Sequence, residues 1–165
     1  MTLSCRDSDV IPRVKDAGRI IECDGVTVQV MHDGTLVLAG GYHGDWMAHV
    51  IRGLKGNHEP QEEVVFHTLL AFSRHGTTIV ELGAFWSYYS LWYLREVPGS
   101  KAVCVEPDPN SLAVGKHNAA LNNLSERVTF AEGWVGGGDE PELTMQPETT
   151  DLPRTLPQIN MDAAL

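Results

Sequence analysis

The chain has 165 residues, enough for one domain with a substantial core, and its 42% hydrophobic and 21% charged content is ordinary for a globular protein. Its formal net charge of −10 argues against a nucleic-acid or anionic-membrane surface, which needs clustered Lys and Arg. No apolar run reaches the length of a membrane span, the N-terminus lacks a signal-peptide apolar region, and Cys5, Cys23 and Cys104 show no paired spacing. A cytoplasmic protein with reduced thiols is the expectation.

Taken in chain order, residues 1–20 are polar and aperiodic, and a loose N-terminus is expected. Val26, Val28 and Val30 alternate with Thr27 and Gln29, and Asp33-Gly34 then turns the chain into Thr35-Leu36-Val37-Leu38, which predicts a β-hairpin. After Gly40-Gly41, Asp45 is placed to cap a short helix with Trp46, Val50 and Leu54 on one face. Glu59-Pro60 opens the next helix, whose apolar side is Val65, Phe66, Leu69, Leu70 and Phe72, and Gly76 stops it. A strand over 77–82, a helix over 87–95, a strand over 101–106, a helix from Pro109 to about Asn122 and a strand over 127–131 follow. This βαβαβ order predicts an α/β protein, the first half of a doubly wound parallel sheet. Beyond Gly136-Gly137-Gly138, Pro141, Pro147, Pro153 and Pro157 punctuate a stretch rich in Glu and Thr. An acidic, irregular tail is expected there, with a weak helix over 156–165.

The chemistry concentrates between Thr78 and Ser90. A β-branched strand ends in Glu81 and Gly83, turns directly into a helix, and is followed by a second strand that ends in Glu106. A strand-terminal carboxylate can accept from both hydroxyls of a ribose, and this arrangement holds adenosine-containing cofactors. Dinucleotide sites need further glycines so that the backbone can approach a pyrophosphate, and here Phe85 and Trp86 occupy that ground. S-adenosylmethionine has no phosphate. Its sulfonium tolerates an acid such as Glu81, and its carboxylate can use amides at the following helix start. S-adenosylmethionine is therefore the expected cofactor, and a nicotinamide oxidoreductase the disfavoured alternative.

Glu81-Leu82-Gly83-Ala84-Phe85-Trp86-Ser87-Tyr88-Tyr89-Ser90 resembles the first motif of class I methyltransferases, specifically the FkbM-type branch. Val105-Glu106-Pro107-Asp108-Pro109-Asn110 resembles that family's second motif, and His58-Glu59-Pro60-Gln61-Glu62-Glu63 its lead-in helix. The resemblance covers roughly residues 40 to 135. It implies a cofactor site in which Glu81, Gly83 and Ala84, with Phe85 and Trp86 in the adjoining turn, lie along the methionine part. It places Glu106 on the ribose, with Pro107 and Asp108 supporting that turn, and Ala131, Glu132 and Gly133 at the adenine.

Two features depart from the family pattern: Ser87 replaces its last glycine, and its sheet runs through four further strands after the third. The domain reading is an extension over 1–58, the cofactor-binding half of a Rossmann-like domain over 59–135, and a tail over 136–165. Such a half-sheet leaves the strand at Ile79 to Leu82 on an open edge, to be covered by the N-terminal hairpin or by a homodimer, or left bare in a truncated chain, which is the expectation. The expected activity is methyl transfer to a hydroxyl of a small or saccharide-like acceptor, the alternative being a remnant or half-domain without catalysis. The catalytic residues are unknown; His43 with Asp45 and Glu59 with Glu63 are the base candidates. The histidines have no metal-ligand spacing, so no metal is expected.

Overall fold

The computed structural model describes residues 3–138, 141–147 and 153–159. Three small sheets organise them. Strands β1 (Ile20–Cys23), β2 (Val26–Val30) and β3 (Leu36–Leu38) form an antiparallel meander in sequence order. Helices α1 (Asp45–Gly53) and α2 (Pro60–Leu70) follow. The central unit is β4 (Thr78–Leu82), α3 (Tyr88–Glu96), β5 (Lys101–Val105), α4 (Pro109–Leu121) and β6 (Val128–Ala131), whose strands pair in parallel in the order β4-β5-β6. The architecture is therefore α/β, with the βαβαβ order expected from the hydrophobic periodicity. Ala102 and Cys104, two residues apart and so on one face of β5, pack with Leu91 and Leu94 of α3 and Ala119 of α4.

Three expectations need correction. The N-terminal segment is docked rather than loose: Ile11 and Ser8 are buried, Val14 N–H donates to His32 O at 2.8 Å, and Gly18 N–H donates to Val30 O at 2.7 Å. Its backbone bonds, and not any periodicity, fix it. In α1 the buried face is Met47, Ala48 and Ile51, while Trp46 is 60% exposed, and Gly44 rather than Asp45 occupies the cap position. Beyond Gly136 the chain is not irregular throughout. Strand β8 (Glu142–Met145) pairs antiparallel with β9 (Arg154–Ile159), and β9 pairs in parallel with β7 (Trp134–Val135). Residues 156–159 are thus strand, not helix; the rest of the helix expected there lies outside the described residues.

The edges of the first two sheets are treated in opposite ways. On β3, the groups that point away from β2 are taken by the side chains of Asn118 in α4 and Asn122 just after it, and by Gly41 N–H, which donates to Leu38 O at 3.1 Å. Leu38 N–H donates to Asn118 Oδ1 at 2.9 Å, Leu36 N–H donates to Asn122 Oδ1 at 2.9 Å, and Asn122 Nδ2 donates to Leu36 O at 2.7 Å. On β4, Thr77 O accepts from Lys101 and Gly83 N–H donates to Val105, which fixes the phase of the parallel ladder. The N–H and C=O groups of Thr78, Val80 and Leu82 therefore point to the other side, where no strand pairs with β4 among the described residues.

Candidate functional site

The C-terminal ends of β4 and β5 carry the site. Gly83 turns the chain out of β4 with φ +67°, and nothing stands within 4 Å of where a side chain would begin. Phe85 (φ +41°) and Ser87 (φ +62°) repeat the left-handed conformation, which is costly for residues other than glycine. Ser87 is accommodated by Gly115 of α4: a Cβ there would sit 2.5 Å from Ser87 Oγ and 3.2 Å from Phe85 O. The small residue the turn lacks is thus supplied by the facing helix.

Glu106 follows β5 and is only 6% exposed. Its Oε2 accepts from Phe85 N–H at 2.9 Å and its Oε1 from Asp108 N–H at 2.8 Å, so one carboxylate ties both turns together. Asp108 caps α4, accepting from the N–H groups of Asn110 and Ser111 at 2.9 and 3.2 Å. Glu81 instead accepts Ser90 N–H at 3.0 Å, within the first turn of α3. Burial pushes its carboxyl up to about 7, against the lowering effect of that bond.

Two cavities meet at the β4 turn. One, of about 370 Å³, is lined by Tyr42, His43, Gly83, Phe85, Glu106, Pro107, Asp108, Ser111, Trp134, Gln146 and Pro147. The other, of about 300 Å³, is lined by Glu81, Ala84 and Trp86 together with Tyr42, His58, Glu59, Glu62, Leu82, Gly83, Phe85 and Tyr89. Tyr42, Gly83 and Phe85 belong to both. Tyr42 stacks on Trp86 with ring centroids 4.5 Å apart and an interplanar angle of 8°.

A buried polar chain backs the second cavity. Glu59 accepts from Tyr42 OH at 3.3 Å and Tyr89 OH at 3.1 Å, and lies 3.2 Å from His58 Nε2. His58 Nδ1 lies 2.7 Å from Glu63 Oε1, Asn57 donates to Glu63 at 2.5 Å, and Arg13 Nε donates to Asn57 at 3.1 Å. Burial lowers the His58 pKa, but the bonds and charges of Glu59 and Glu63 outweigh it and hold the ring above its ordinary value. The His58 bond is the main reason the Glu59 carboxyl sits below its own.

The structure gathers Glu81, Gly83, Ala84, Phe85, Trp86, Glu106, Pro107 and Asp108 around these cavities. Glu132 and Gly133 are not among the residues that line them. Glu132 pairs with Arg154 at 2.5 Å, and Gly133 packs so closely on β9 that a Cβ would stand 2.7 Å from Pro157 O. Trp134, one residue further on, takes the lining position because β7 and β9 pair there. The N–H groups of Gly83 and Ala84 both donate to Val105 O and that of Phe85 to Glu106, so these amides do not await a ligand. Of the base candidates, His43 and Glu59 line cavities, whereas Glu63 is buried behind His58 and Asp45 lines neither. Tyr42, Ser111, Trp134 and Tyr89 carried no signal as lining residues in the sequence, since their positions depend on pairing between distant segments.

No family model and no curated protein sequence matches the chain. Among solved structures it is similar to a S-adenosylmethionine-dependent methyltransferase from Geobacter sulfurreducens in complex with S-adenosylhomocysteine, with 21% identity, TM-score 0.38, and 44% of this chain against 28% of that one covered. A methyltransferase from Thiobacillus denitrificans, also with S-adenosylhomocysteine, gives 18% identity, TM-score 0.38, and 41% against 28% coverage. An O-methyltransferase from Bacillus cereus in complex with the same molecule gives 20% identity, TM-score 0.38, and 45% against 33% coverage. The chain thus spans about a third or less of the length of these structures.

Proposed function

We propose that the chain is the cofactor-binding part of a S-adenosylmethionine-dependent methyltransferase of the FkbM-like kind, acting on a hydroxyl of a small or saccharide-like acceptor. The observation that carries this reading is Glu106: a nearly buried carboxylate at a strand end, lining a cavity beside a glycine turn whose outer side is open. Phe85 N–H and Asp108 N–H hold this carboxylate in the cavity wall, and a strand-end carboxylate is the kind of acceptor that suits the two hydroxyls of a ribose. On this reading the adenosine part lies in the Glu106 cavity, with Phe85 and Trp134 as its flat apolar walls. The methionine part lies toward Glu81 and Glu59.

When bound, the cofactor supplies an activated methyl group on a cationic sulfur. The protein's part is position and exclusion of water, an alignment effect worth up to ~7–11 kcal/mol in well-oriented reactions. Gly83 lines both cavities with open space where a side chain would begin, which leaves room for a ligand to span them, and Tyr42, stacked on Trp86, also lines both. Glu59 is held by two tyrosine hydroxyls and His58 at the wall of the second cavity, which supports reading it as the base toward an acceptor hydroxyl. A second reading, a cofactor-binding half-domain without turnover, is favoured by one observation: the apolar flank of β4 and α2 stands uncovered.

The test is calorimetric titration with S-adenosylhomocysteine, of the chain and of Glu106→Ala. Loss of a charge-assisted ribose contact costs about 1.5–3 kcal/mol, roughly ten- to a hundredfold in affinity. Binding that collapses in the variant supports the reading; a folded chain that binds nothing refutes it.

A further inference from the structure

The second cavity holds its acids without a permanent counter-cation. Glu59, Glu62 and Glu81 line it together with His58, and among the described residues no Lys or Arg does. Arg13 stands behind it, reached from His58 only through Glu63 and Asn57, and its guanidinium is already committed to Asp9, Ser8 and Asn57. The acids are therefore offset locally by protons. His58, 1% exposed, lies between two carboxylates, with Nδ1 2.7 Å from Glu63 and Nε2 3.2 Å from Glu59. Tyr42, Tyr88 and Tyr89 pack their rings around it. Glu81 lines the same cavity and accepts from Ser90 N–H at 3.0 Å. Burial raises its carboxyl to about 7; of the charged groups near it, His58 favours its ionised form and Glu106 opposes it. The neighbouring Cys104 thiol, pushed by burial up to about 11, stays neutral.

A sulfonium is a fixed cation that no change of pH removes, and it becomes a neutral thioether once the methyl group has left. The inference rests on the proposed function, which puts the methionine part of the cofactor, and with it the sulfur, in this cavity. We infer that the cavity exchanges protons for the cofactor's charge: the arriving sulfonium displaces a proton from His58 or Glu81 to solvent, and the thioether product lets it return. His58 and Glu81 then set the preference for cofactor over spent product, because only the cation has a charge to trade for the proton. The sign follows from the charges. At low pH both groups keep their protons and the cavity is less anionic; at high pH both have lost them, and Glu59, Glu62, Glu63 and Glu81 all face the cation as carboxylates. Affinity for S-adenosylmethionine thus rises with pH relative to that for S-adenosylhomocysteine.

Calorimetry in two buffers of different ionisation enthalpy counts the protons released, at a pH of about 6.5 where the amino group of either ligand stays protonated. S-adenosylmethionine should release about half a proton more than S-adenosylhomocysteine. Glu81→Gln and His58→Gln should each lower this excess, and the double variant should abolish it. In the parent chain, the ratio of the two affinities should rise about tenfold between pH of about 5.5 and about 7.5. That ratio needs no variant, so a substitution that unfolds the chain does not mask the outcome. Equal proton counts for the two ligands, a flat ratio, or an excess that survives in the double variant overturns the inference and leaves the cofactor assignment standing. A folded chain that binds neither ligand overturns both.

Discussion

Two sheet edges in this chain meet the same problem and end differently. The outer edge of β3 is closed by Asn118 of α4 and Asn122 at its C-cap, one helical turn apart, whose amides stand in for a neighbouring strand. The outer edge of β4 has no such closure among the described residues and looks onto an apolar groove. The difference teaches that openness here is local and not a general looseness of the fold. Where this protein buries a strand edge within its own structure it satisfies the polar groups; where it does not, the apolar surface beside them is uncovered as well.

Hydrogen exchange gives the largest expected effect. The amides of Leu36 and Leu38 should exchange at least about a thousandfold more slowly than those of Val80 and Leu82, as read by two-dimensional NMR in deuterated buffer. Comparable rates would break the comparison.

The next effect tests the closed edge. Asn118→Ala leaves Leu38 N–H and Trp86 O, which the same side chain binds at 3.0 Å, without their partner in a fully buried place. Denaturant titration should show a loss of about 3 kcal/mol. Because Trp86 lines the second cavity, the loss should extend to ligand binding at the site.

The smaller effect belongs to the open edge. Glu81 has its carboxyl raised to about 7 in the fold, above the ordinary carboxylate range it regains on unfolding. The folded state therefore binds the proton more tightly, and stability falls as pH rises from about 4.5 through about 7. With solvent screening at a partly exposed side chain, this amounts to about 2 kcal/mol. His58, raised as well, adds a fall of the same sign at its own higher range. Glu81→Gln, followed by thermal melts between pH 5 and 8, should remove the Glu81 part and be the more stable protein at pH 8. A variant that melts in parallel with the parent at every pH would show that Glu81 is not raised.

The local parts of this architecture were legible in the sequence. Glu106, Gly83 and the Asp108 cap sit where strand-turn-helix spacing puts them, because each is fixed by neighbours a few residues away. The β3 closure was not legible, since nothing near Leu36 or Leu38 announces a partner some eighty residues on. Nor was the pairing of β9. Pro157 reads as a breaker, yet it sits within a strand whose other residues bond to β7 and β8. The lining role of Trp134 depends on that pairing. The docked N-terminus is illegible for a similar reason: its backbone bonds to His32 and Val30, and those of the Arg13 side chain to Asn57 and Ser8, leave no periodic trace. Ser87 is the instructive middle case. The departure was visible as a serine in place of glycine, but its compensation lies in Gly115, on another element.

The asparagine closure also carries a cost in time. The partners of Leu38 and Leu36 are 80 and 86 residues away in sequence. At ordinary synthesis rates of about 5–20 residues per second, β3 leaves the ribosome roughly 4–16 s before α4 can reach it. For that interval the meander presents a bare edge to every other nascent chain nearby, and contacts of such long range are slow to form even in the finished polypeptide. The same two side chains that secure the mature sheet thus make the closure of its edge a late step of assembly.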